Sequence, residues 1–384
     1  MSPRTILLHI GAPKTGTTYL QHMLWANREP LEEAGFLVPR TFGARAATVR
    51  ALLRWHPDSG EQMPQAWRTL SADMRRWGGQ ASVFSQEFLC RLDQAQTRAV
   101  VASLGEGSPG RVKCLLTVRD ISRLVPAQWQ TSLRSHQTWT LAEYCEAVAS
   151  GSPKGPAATM HRHFWARHRY RDILDRWVAE VGRDNVTVVT VPSSSSDPDE
   201  LWRRFCSAGG IEAGETVQAE PTHESLGATS AELMRRLNQH PVVDQMRGPP
   251  YQQSVSTAVA RRGLARRRGE EPKLSLPSEY DDWAQKMADQ MIDDIEAAGV
   301  PVVGDLDDLR PRRATSPAVV PEDQPSGALV DAAVDALAGL ALEHVKLTRQ
   351  ESGADRGAGA ESGSPQRRSA VHRAKSAWRR TPLG

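Results

Sequence analysis

Residues 5–18 read Thr5-Ile-Leu-Leu-His-Ile-Gly-Ala-Pro-Lys-Thr-Gly-Thr-Thr18, a short apolar strand that runs into a glycine-bounded loop just before a helical pattern. Backbone N–H groups at a helix start have no partner within the helix, and the helix dipole places partial positive charge there. Lys14 adds a full positive charge, and Thr17 and Thr18 add hydroxyl donors at the first helical positions. The segment therefore predicts a strand, loop and helix that bind a phosphate-like anion.

The position of the lysine within the loop narrows the choice of ligand. A nucleoside-triphosphatase loop places its lysine directly between a glycine and a Ser/Thr residue, whereas here Lys14 precedes Gly16 and Thr17 follows that glycine. This order disfavours an ordinary ATPase. A nucleotide-dependent kinase, with Lys14 on phosphates and Asp120 on magnesium, stays as an alternative.

The loop Pro13-Lys-Thr-Gly-Thr-Thr18 resembles the 5′-phosphosulfate-binding loop of sulfotransferases, typically Pro-Lys-Ser/Thr-Gly-Thr-Thr. The resemblance implies 3′-phosphoadenosine 5′-phosphosulfate (PAPS) as sulfuryl donor and adenosine 3′,5′-bisphosphate as product. Weaker similarities to actinobacterial members, such as Leu201-Trp-Arg-Arg-Phe205 and Thr222-His-Glu-Ser225, extend it over residues 1–308. The donor-binding residues it implies in the loop are Pro13, Lys14, Thr15, Gly16, Thr17 and Thr18.

Composition indicates a globular protein without an obvious polyanionic partner. The chain has 384 residues, 39% of them hydrophobic and 24% charged, and a formal net charge of +3, so no nucleic-acid partner is expected. No apolar run is long enough to span a bilayer and no leader pattern is evident, so a cytoplasmic protein is expected. The four cysteines are dispersed, which suggests neither a zinc site nor a disulfide framework.

Short β-branched runs alternate with helical patterns, which is typical of a parallel sheet covered on both faces. We therefore predict an α/β three-layer sandwich with a central parallel sheet, in the P-loop-like sulfotransferase fold that the resemblance implies. The predicted strands are Thr5–Ile10, Phe36–Val38, Ser82–Ser85, Lys113–Val118 and Val186–Val191.

The C-terminal fifth of the chain follows a different pattern. After an α/β domain over residues 1–308, residues 309–328 predict a proline-rich linker. Residues 329–350 predict an amphipathic helix, and residues 351–384 a disordered basic tail. The apolar stripe that indicates the helix is Val330, Val334, Leu337 and Ala341.

Arg119 follows a predicted central strand, at the edge where open α/β sheets bind ligands. In sulfotransferases the corresponding arginine grips the donor's 3′-phosphate with a serine about eight residues later, but that position is Ala127 here. Ser122 is the predicted substitute, with Thr131 and Ser132 as alternatives.

Two further basic residues, Arg261 and Arg262, stand in a segment that is similar to the loop that closes over the 3′-phosphate in cytosolic sulfotransferases. The alternative is a solvated helix face, because only seven of the 48 basic residues are lysine and arginine clusters are common in this chain.

Glu87 follows the predicted strand Ser82–Ser85 and reaches the same sheet edge. Sulfuryl transfer needs a base near the acceptor, and a carboxylate can take that role. Glycan N-sulfotransferases and many bacterial relatives, which this pattern resembles, carry a glutamate here as proposed base. We predict Lys14 and Glu87 as catalytic residues, with a surface carboxylate near a helix start as the alternative for Glu87.

The predicted function is transfer of a sulfuryl group from PAPS to a hydroxyl or amine of a small-molecule or glycan acceptor, without a metal. A noncatalytic nucleotide-binding or interaction protein on the same fold is the alternative from another class. The acceptor is not indicated, because its specificity belongs to variable loops such as 40–79 and 128–171.

Overall fold

The computed structural model describes residues 5–40, 44–105, 111–193, 197–212, 216–218, 225–312 and 319–358. Within these ranges six strands form one sheet: β1 (Thr5–Gly11), β2 (Phe36–Leu37), β3 (Ala81–Ser85), β4 (Val112–Val118), β5 (Val186–Thr190) and β6 (Val302–Val303). The longer helices are α1 (Thr17–Ala26), α2 (Arg28–Glu33), α3 (Arg45–Arg54), α4 (Gln65–Arg76), α5 (Gln94–Gly105), α6 (Ile121–Leu133), α7 (Leu141–Ala149), α8 (Gly155–His168), α9 (Tyr170–Val181), α10 (Glu200–Gly209) and α11 (Ala228–Gln239). They are followed by the short α12 (Pro241–Asp244) and α13 (Pro249–Tyr251), a π-type helix (Gln252–Gly263), α14 (Asp281–Ala298) and α15 (Ser326–Ala358).

The sheet is parallel throughout, in the order β2-β3-β1-β4-β5-β6. After β1 the chain builds β2 and β3 on one side and then crosses to β4 on the other. Ligands of open parallel sheets bind where the strand order reverses in this way, at the carboxyl ends of the strands. The loop after β1 therefore lies at the reversal point.

Side chains of β1 alternate between two cores. Ile6, Leu8 and Ile10 belong to the larger core under α3 to α6, α9 and α14, whereas Leu7 packs in the smaller core with residues of α1 and α10. Because helices cover both faces, the predicted three-layer α/β architecture with a central parallel sheet is confirmed. The sequence did not predict β6, since two valines after a proline are too short a run to identify.

The end of β1 departs from regular pairing. His9 lies opposite Leu115 of β4, but Gly11 lies opposite Leu116, so Ile10 is an extra residue in β1. Such an irregularity re-aims the chain. Gly11 has φ +114°, and a Cβ added there would lie 2.5 Å from the backbone carbonyl oxygen of Glu87. The loop thus starts in close backbone contact with the segment that carries Glu87.

The C-terminal helix is longer than the sequence predicts. α15 spans Ser326–Ala358, so residues 351–358, predicted to be in a disordered tail, are helical. Residues 359–384, and residues 313–318 of the predicted linker, lie outside the described ranges. Within those ranges, no helix combines the length and apolar character that a membrane span requires.

The apolar stripe that indicated this helix faces solvent, with Val330 60% and Leu337 64% exposed. The buried face contains small residues, among them Ala332 and Ala336. A Cβ on Gly339 would collide with the carbonyl oxygen of Ala258 in the π-type helix. Small residues on α15 therefore allow close backbone packing that the hydrophobic pattern did not indicate.

Candidate active site

The loop after β1 forms a concave backbone. Lys14 (φ 67°) and Gly16 (φ 81°) have left-handed conformations, and Thr15 between them does not. Alternating hands turn successive N–H groups toward one side, a geometry that binds anions. α1 begins at the next residue, Thr17, with no acidic side chain in its first turn. Backbone conformation and helix dipole therefore both favour an anion at this loop.

Two side chains hold the loop through contacts to its backbone. The hydroxyl of Thr15 donates to the carbonyl oxygen of Ala12 at 2.5 Å and also contacts Thr117 of β4. Arg119 Nη1 donates to the carbonyl oxygen of Lys14 at 3.1 Å. The hydroxyl of Thr15 is buried below the loop. The contact with PAPS that the resemblance implies for Thr15 can therefore be made only by its backbone N–H.

His9 ties three strand ends together beneath the loop. Its Nδ1 lies 2.7 Å from Ser85 Oγ of β3, and its Nε2 lies 3.1 Å from Thr117 Oγ1 of β4. Thr117 in turn donates to the carbonyl oxygen of Gly11 at 3.0 Å. Burial lowers the pKa of His9 to about 3, so the ring is neutral at pH 7. No local pattern indicates this role, because it depends on partners 76 and 108 residues away.

Glu87 is oriented by α1. It opens a 3₁₀ turn (Glu87–Arg91) directly after β3, and its Oε2 accepts a hydrogen bond from Gln21 Nε2 at 2.9 Å. Gln21 Oε1 accepts from Arg45 Nη2 of α3 at 2.8 Å. The glutamine is buried, whereas the carboxylate is partly exposed toward the cleft. This chain of contacts fixes the carboxylate of Glu87 with part of it accessible.

Asp120 is occupied by local contacts. It caps α6, accepting from the Arg123 N–H at 3.0 Å and from the Ser122 hydroxyl at 2.5 Å, and its second oxygen pairs with the Arg123 side chain. It is 2% exposed. Asp120 is therefore not presented to the cleft as the kinase alternative requires. The Ser122 hydroxyl is likewise directed to Asp120, so Ser122 is not the cleft hydroxyl that we predicted.

A cleft of about 1440 Å³ opens above the carboxyl ends of β1, β3 and β4. It is large enough for more than one small ligand. The predicted site residues that line it are Pro13, Lys14, Gly16, Thr17, Thr18, Glu87, Arg119 and Arg261. The predicted site residues that do not line it are Thr15, Ser122 and Arg262.

The predicted pocket for a 3′-phosphate lies along α6 and the π-type helix. Ala127 lines the cleft, and so do Thr131 and Ser132 on the next turn of α6, the two alternatives to Ser122. Arg261 of the π-type helix faces the same space. Arg262 instead pairs with a carboxylate of α15, Glu343, which removes it from the predicted site.

The opposite wall contains two arginines that the sequence did not single out. Arg50 of α3 and Arg167 of α8 line the cleft near the 3₁₀ turn that begins with Glu87, and His163 lies one turn before Arg167. The spacing of His163 and Arg167 places them on one helix face, but that signal is weak in an arginine-rich chain. His223, part of the family-like segment, lies outside the described residues. The described part of the chain contains no group of three or more His, Cys, Asp or Glu residues arranged to hold a metal.

Two buried histidines predict an acid-sensitive fold. Burial lowers the pKa of both His9 and His168 to about 3, from an ordinary value near 6.5. Between these values the unfolded chain binds protons that the folded chain excludes, so the free energy of unfolding falls as the pH falls. From pH 7 to pH 5 we expect a loss of about 2 kcal/mol for each histidine. The carboxylate of Asp308, whose pKa is lowered from 3.8, titrates below this window.

Urea unfolding at pH 7 and pH 5 checks this prediction. Among the described residues neither ring nitrogen of His168 has a hydrogen-bond partner, so leucine is a tolerable replacement. His168→Leu should lose somewhat less than half of the pH dependence, because His9 contributes a similar share and burial also lowers the pKa of His163, whereas the exposed control His344→Gln should retain all of it. An unchanged pH dependence in His168→Leu would contradict the assignment.

Comparison with known proteins gives little. No protein-family model matches the chain, and no curated protein matches it. One solved structure that does match is the crystal structure of a sulfotransferase from Alicyclobacillus acidocaldarius, at 16% sequence identity and a TM-score of 0.35. The match covers 64% of this chain and 97% of that one. A structural similarity this low says nothing about the chemistry of this chain. The functional assignment rests on the geometry of the cleft alone.

Proposed function

We propose that the protein is a sulfotransferase that moves a sulfuryl group from PAPS to a hydroxyl or amine of a small-molecule or glycan acceptor. The observation that carries the proposal is the shared cleft, which brings the concave loop with Lys14 together with Arg119, Arg261 and the oriented carboxylate of Glu87. Cationic groups and a single carboxylate at one sheet edge suit an anionic donor and an acceptor that must lose a proton.

On the donor side, each group has a distinct task. When bound, the donor supplies the sulfuryl group, whose bond to the phosphate oxygen breaks while a bond to the acceptor oxygen or nitrogen forms. The ammonium group of Lys14 offsets the charge that develops on the released phosphate, and backbone N–H groups with Thr17 and Thr18 hold its other oxygens. Arg119 and Arg261, with Thr131 or Ser132, would hold the 3′-phosphate.

On the acceptor side, Glu87 takes the proton of the attacking hydroxyl or amine. Its hydrogen bond from Gln21 leaves one carboxylate oxygen, Oε1, for that proton. The hydrogen bonds from Arg45 to Gln21 and from Gln21 to Glu87 keep the carboxylate in one orientation. A fixed orientation lowers the entropy cost of reaching the reactive geometry. Gln21 and Arg45 are positioning residues in this scheme.

Replacement of Glu87 by glutamine tests the proposal. The Gln21 contact can persist, because an amide oxygen also accepts a hydrogen bond. Glu87→Gln should lower sulfuryl transfer by about 10²–10⁴, as for removal of a general base, and leave binding of adenosine 3′,5′-bisphosphate unchanged. The assay offers PAPS with a pool of hydroxyl and amino compounds and follows sulfated products by mass spectrometry.

The exposed Glu296→Gln on α14 is the matched control and should be as active as the natural protein. Full activity of Glu87→Gln would remove the base from this scheme. Bisphosphate binding without any sulfated product from the natural chain would favour the noncatalytic alternative.

A further inference from the structure

The cleft carries more positive charge than the proposed donor contacts use. Among the described lining residues six are lysine or arginine, and Glu87 is the one acidic side chain. Lys14, Arg119 and Arg261 belong to the donor side, as does Arg134 at the end of α6. Arg50 and Arg167 lie on the other wall, where α3 and α8 both contact the turn that begins with Glu87.

Within the described ranges, no ion pair involves Arg50, Arg167 or the neighbouring Arg91. Arg167 donates instead to the backbone carbonyl oxygen of His163. Arg176 and Arg75, also partly buried, likewise donate to backbone carbonyl oxygens, whereas three other partly buried arginines pair with carboxylates. Such pairs join Arg235 to Glu232, Arg267 to Glu271 and Arg204 to Glu200, each at 2.8 Å.

The wall around Arg167 has a positive potential. Burial lowers the pKa of the Arg167 guanidinium, and the charge of Arg91 lowers it further. Burial also lowers the pKa of the His163 imidazole. Three neighbouring guanidinium groups add to that effect, those of Arg167, Arg91 and Arg162. Arg167 is partly buried and Arg50 is exposed, and a cationic wall of this kind without carboxylate partners is stabilised when an anion binds to it.

We propose that the acceptor is itself an anion: its carboxylate, sulfate or phosphate group binds to Arg167 and Arg50 while its hydroxyl or amine meets Glu87. This inference rests on the proposed function and adds the chemical class of the acceptor. The planar fork of a guanidinium matches the oxygens of any of these groups. A neutral acceptor leaves the wall without a partner, and a cationic acceptor is repelled by it.

Matched ligands test the inference in protein saturated with adenosine 3′,5′-bisphosphate. A panel of hydroxyl and amino compounds is offered as pairs, each carboxylate beside its neutral amide, and affinities are followed by NMR titration. The carboxylates should bind at least roughly tenfold more tightly than their amides, as expected for a charge-assisted hydrogen bond. Sulfate and phosphate esters of the same compounds then show which anion is preferred.

Arg167→Gln and Arg50→Gln should each remove most of this preference, without weakening the bisphosphate. Arg54→Gln is the control, because Arg54 is exposed on the same helix as Arg50 and does not line the cleft. Equal signals from the two members of every pair, including no signal from either, would overturn the inference. Failure of the proposed function has a different signature, since the bisphosphate itself would then not bind.

Discussion

Replacement of Lys14 by alanine is expected to lower the rate of sulfuryl transfer by roughly 10²–10³, which is typical for loss of one electrostatic donor to a transition state. Lys14 already has φ 67°, a conformation that costs alanine no more than lysine, so the loop backbone should persist. The contact from Arg119 should persist as well, because it is made to the backbone carbonyl oxygen. The loss therefore measures the ammonium group, and PAPS turnover under saturating donor reports it.

Lys113→Ala is the matched control for this variant. Lys113 lies on β4 with an exposed side chain and does not line the cleft, so turnover should be unchanged. If Lys14→Ala turned over PAPS as fast as Lys113→Ala does, Lys14 would have no part in the chemistry.

Replacement of Gly11 by alanine is expected to destabilise the fold by about 3 kcal/mol, from unfavourable backbone conformation and overpacking together. The added Cβ would lie 2.5 Å from the carbonyl oxygen of Glu87, which belongs to backbone and cannot rotate away. Relief requires β1 and the Glu87 turn to separate. Binding of adenosine 3′,5′-bisphosphate should weaken along with stability, because Gly11 precedes the loop.

The control variant Gly60→Ala separates the stability cost of the backbone conformation from the cost of the steric collision. Gly60 also has a left-handed φ of +75°, but an added Cβ there would meet no atom within 4 Å. This control should lose only about 1 kcal/mol. Urea unfolding of both variants decides the matter, and a Gly11→Ala protein as stable as Gly60→Ala would show that the close approach to Glu87 is not tight.

Local patterns in the sequence were sufficient to predict most of the sheet and the loop after β1. Buried parallel strands are continuous apolar runs, so β1, β3, β4 and β5 are evident, and glycine spacing marks the loop after β1. The two-residue β6 carries no such signal. The outward stripe of α15 could not be predicted either, because its docked face is built from alanine and glycine, which hydrophobic periodicity overlooks.

The site was less predictable wherever a side chain had a choice of partners. Sequence places Ser122 close to Arg119, but the nearest acceptor in space is Asp120, which its hydroxyl contacts. Arg262 pairs with Glu343, which is 81 residues away along the chain. The orientation of Glu87 by Gln21 likewise depends on a contact between separate elements. The contacts of Arg262 and Glu87 are set by tertiary packing, which no local spacing reveals, whereas the Ser122–Asp120 contact is local and belongs to the start of α6.

The most direct test of the account compares two nucleotides by thermal unfolding of the full chain. Adenosine 3′,5′-bisphosphate at a hundred times its Kd should raise the Tm by roughly 5 °C. ATP with magnesium at the same concentration should raise it far less, and Lys14→Ala should reduce the bisphosphate effect. Stabilisation by ATP with magnesium but not by the bisphosphate, or by neither, would contradict the claim that this loop binds the phosphosulfate end of PAPS.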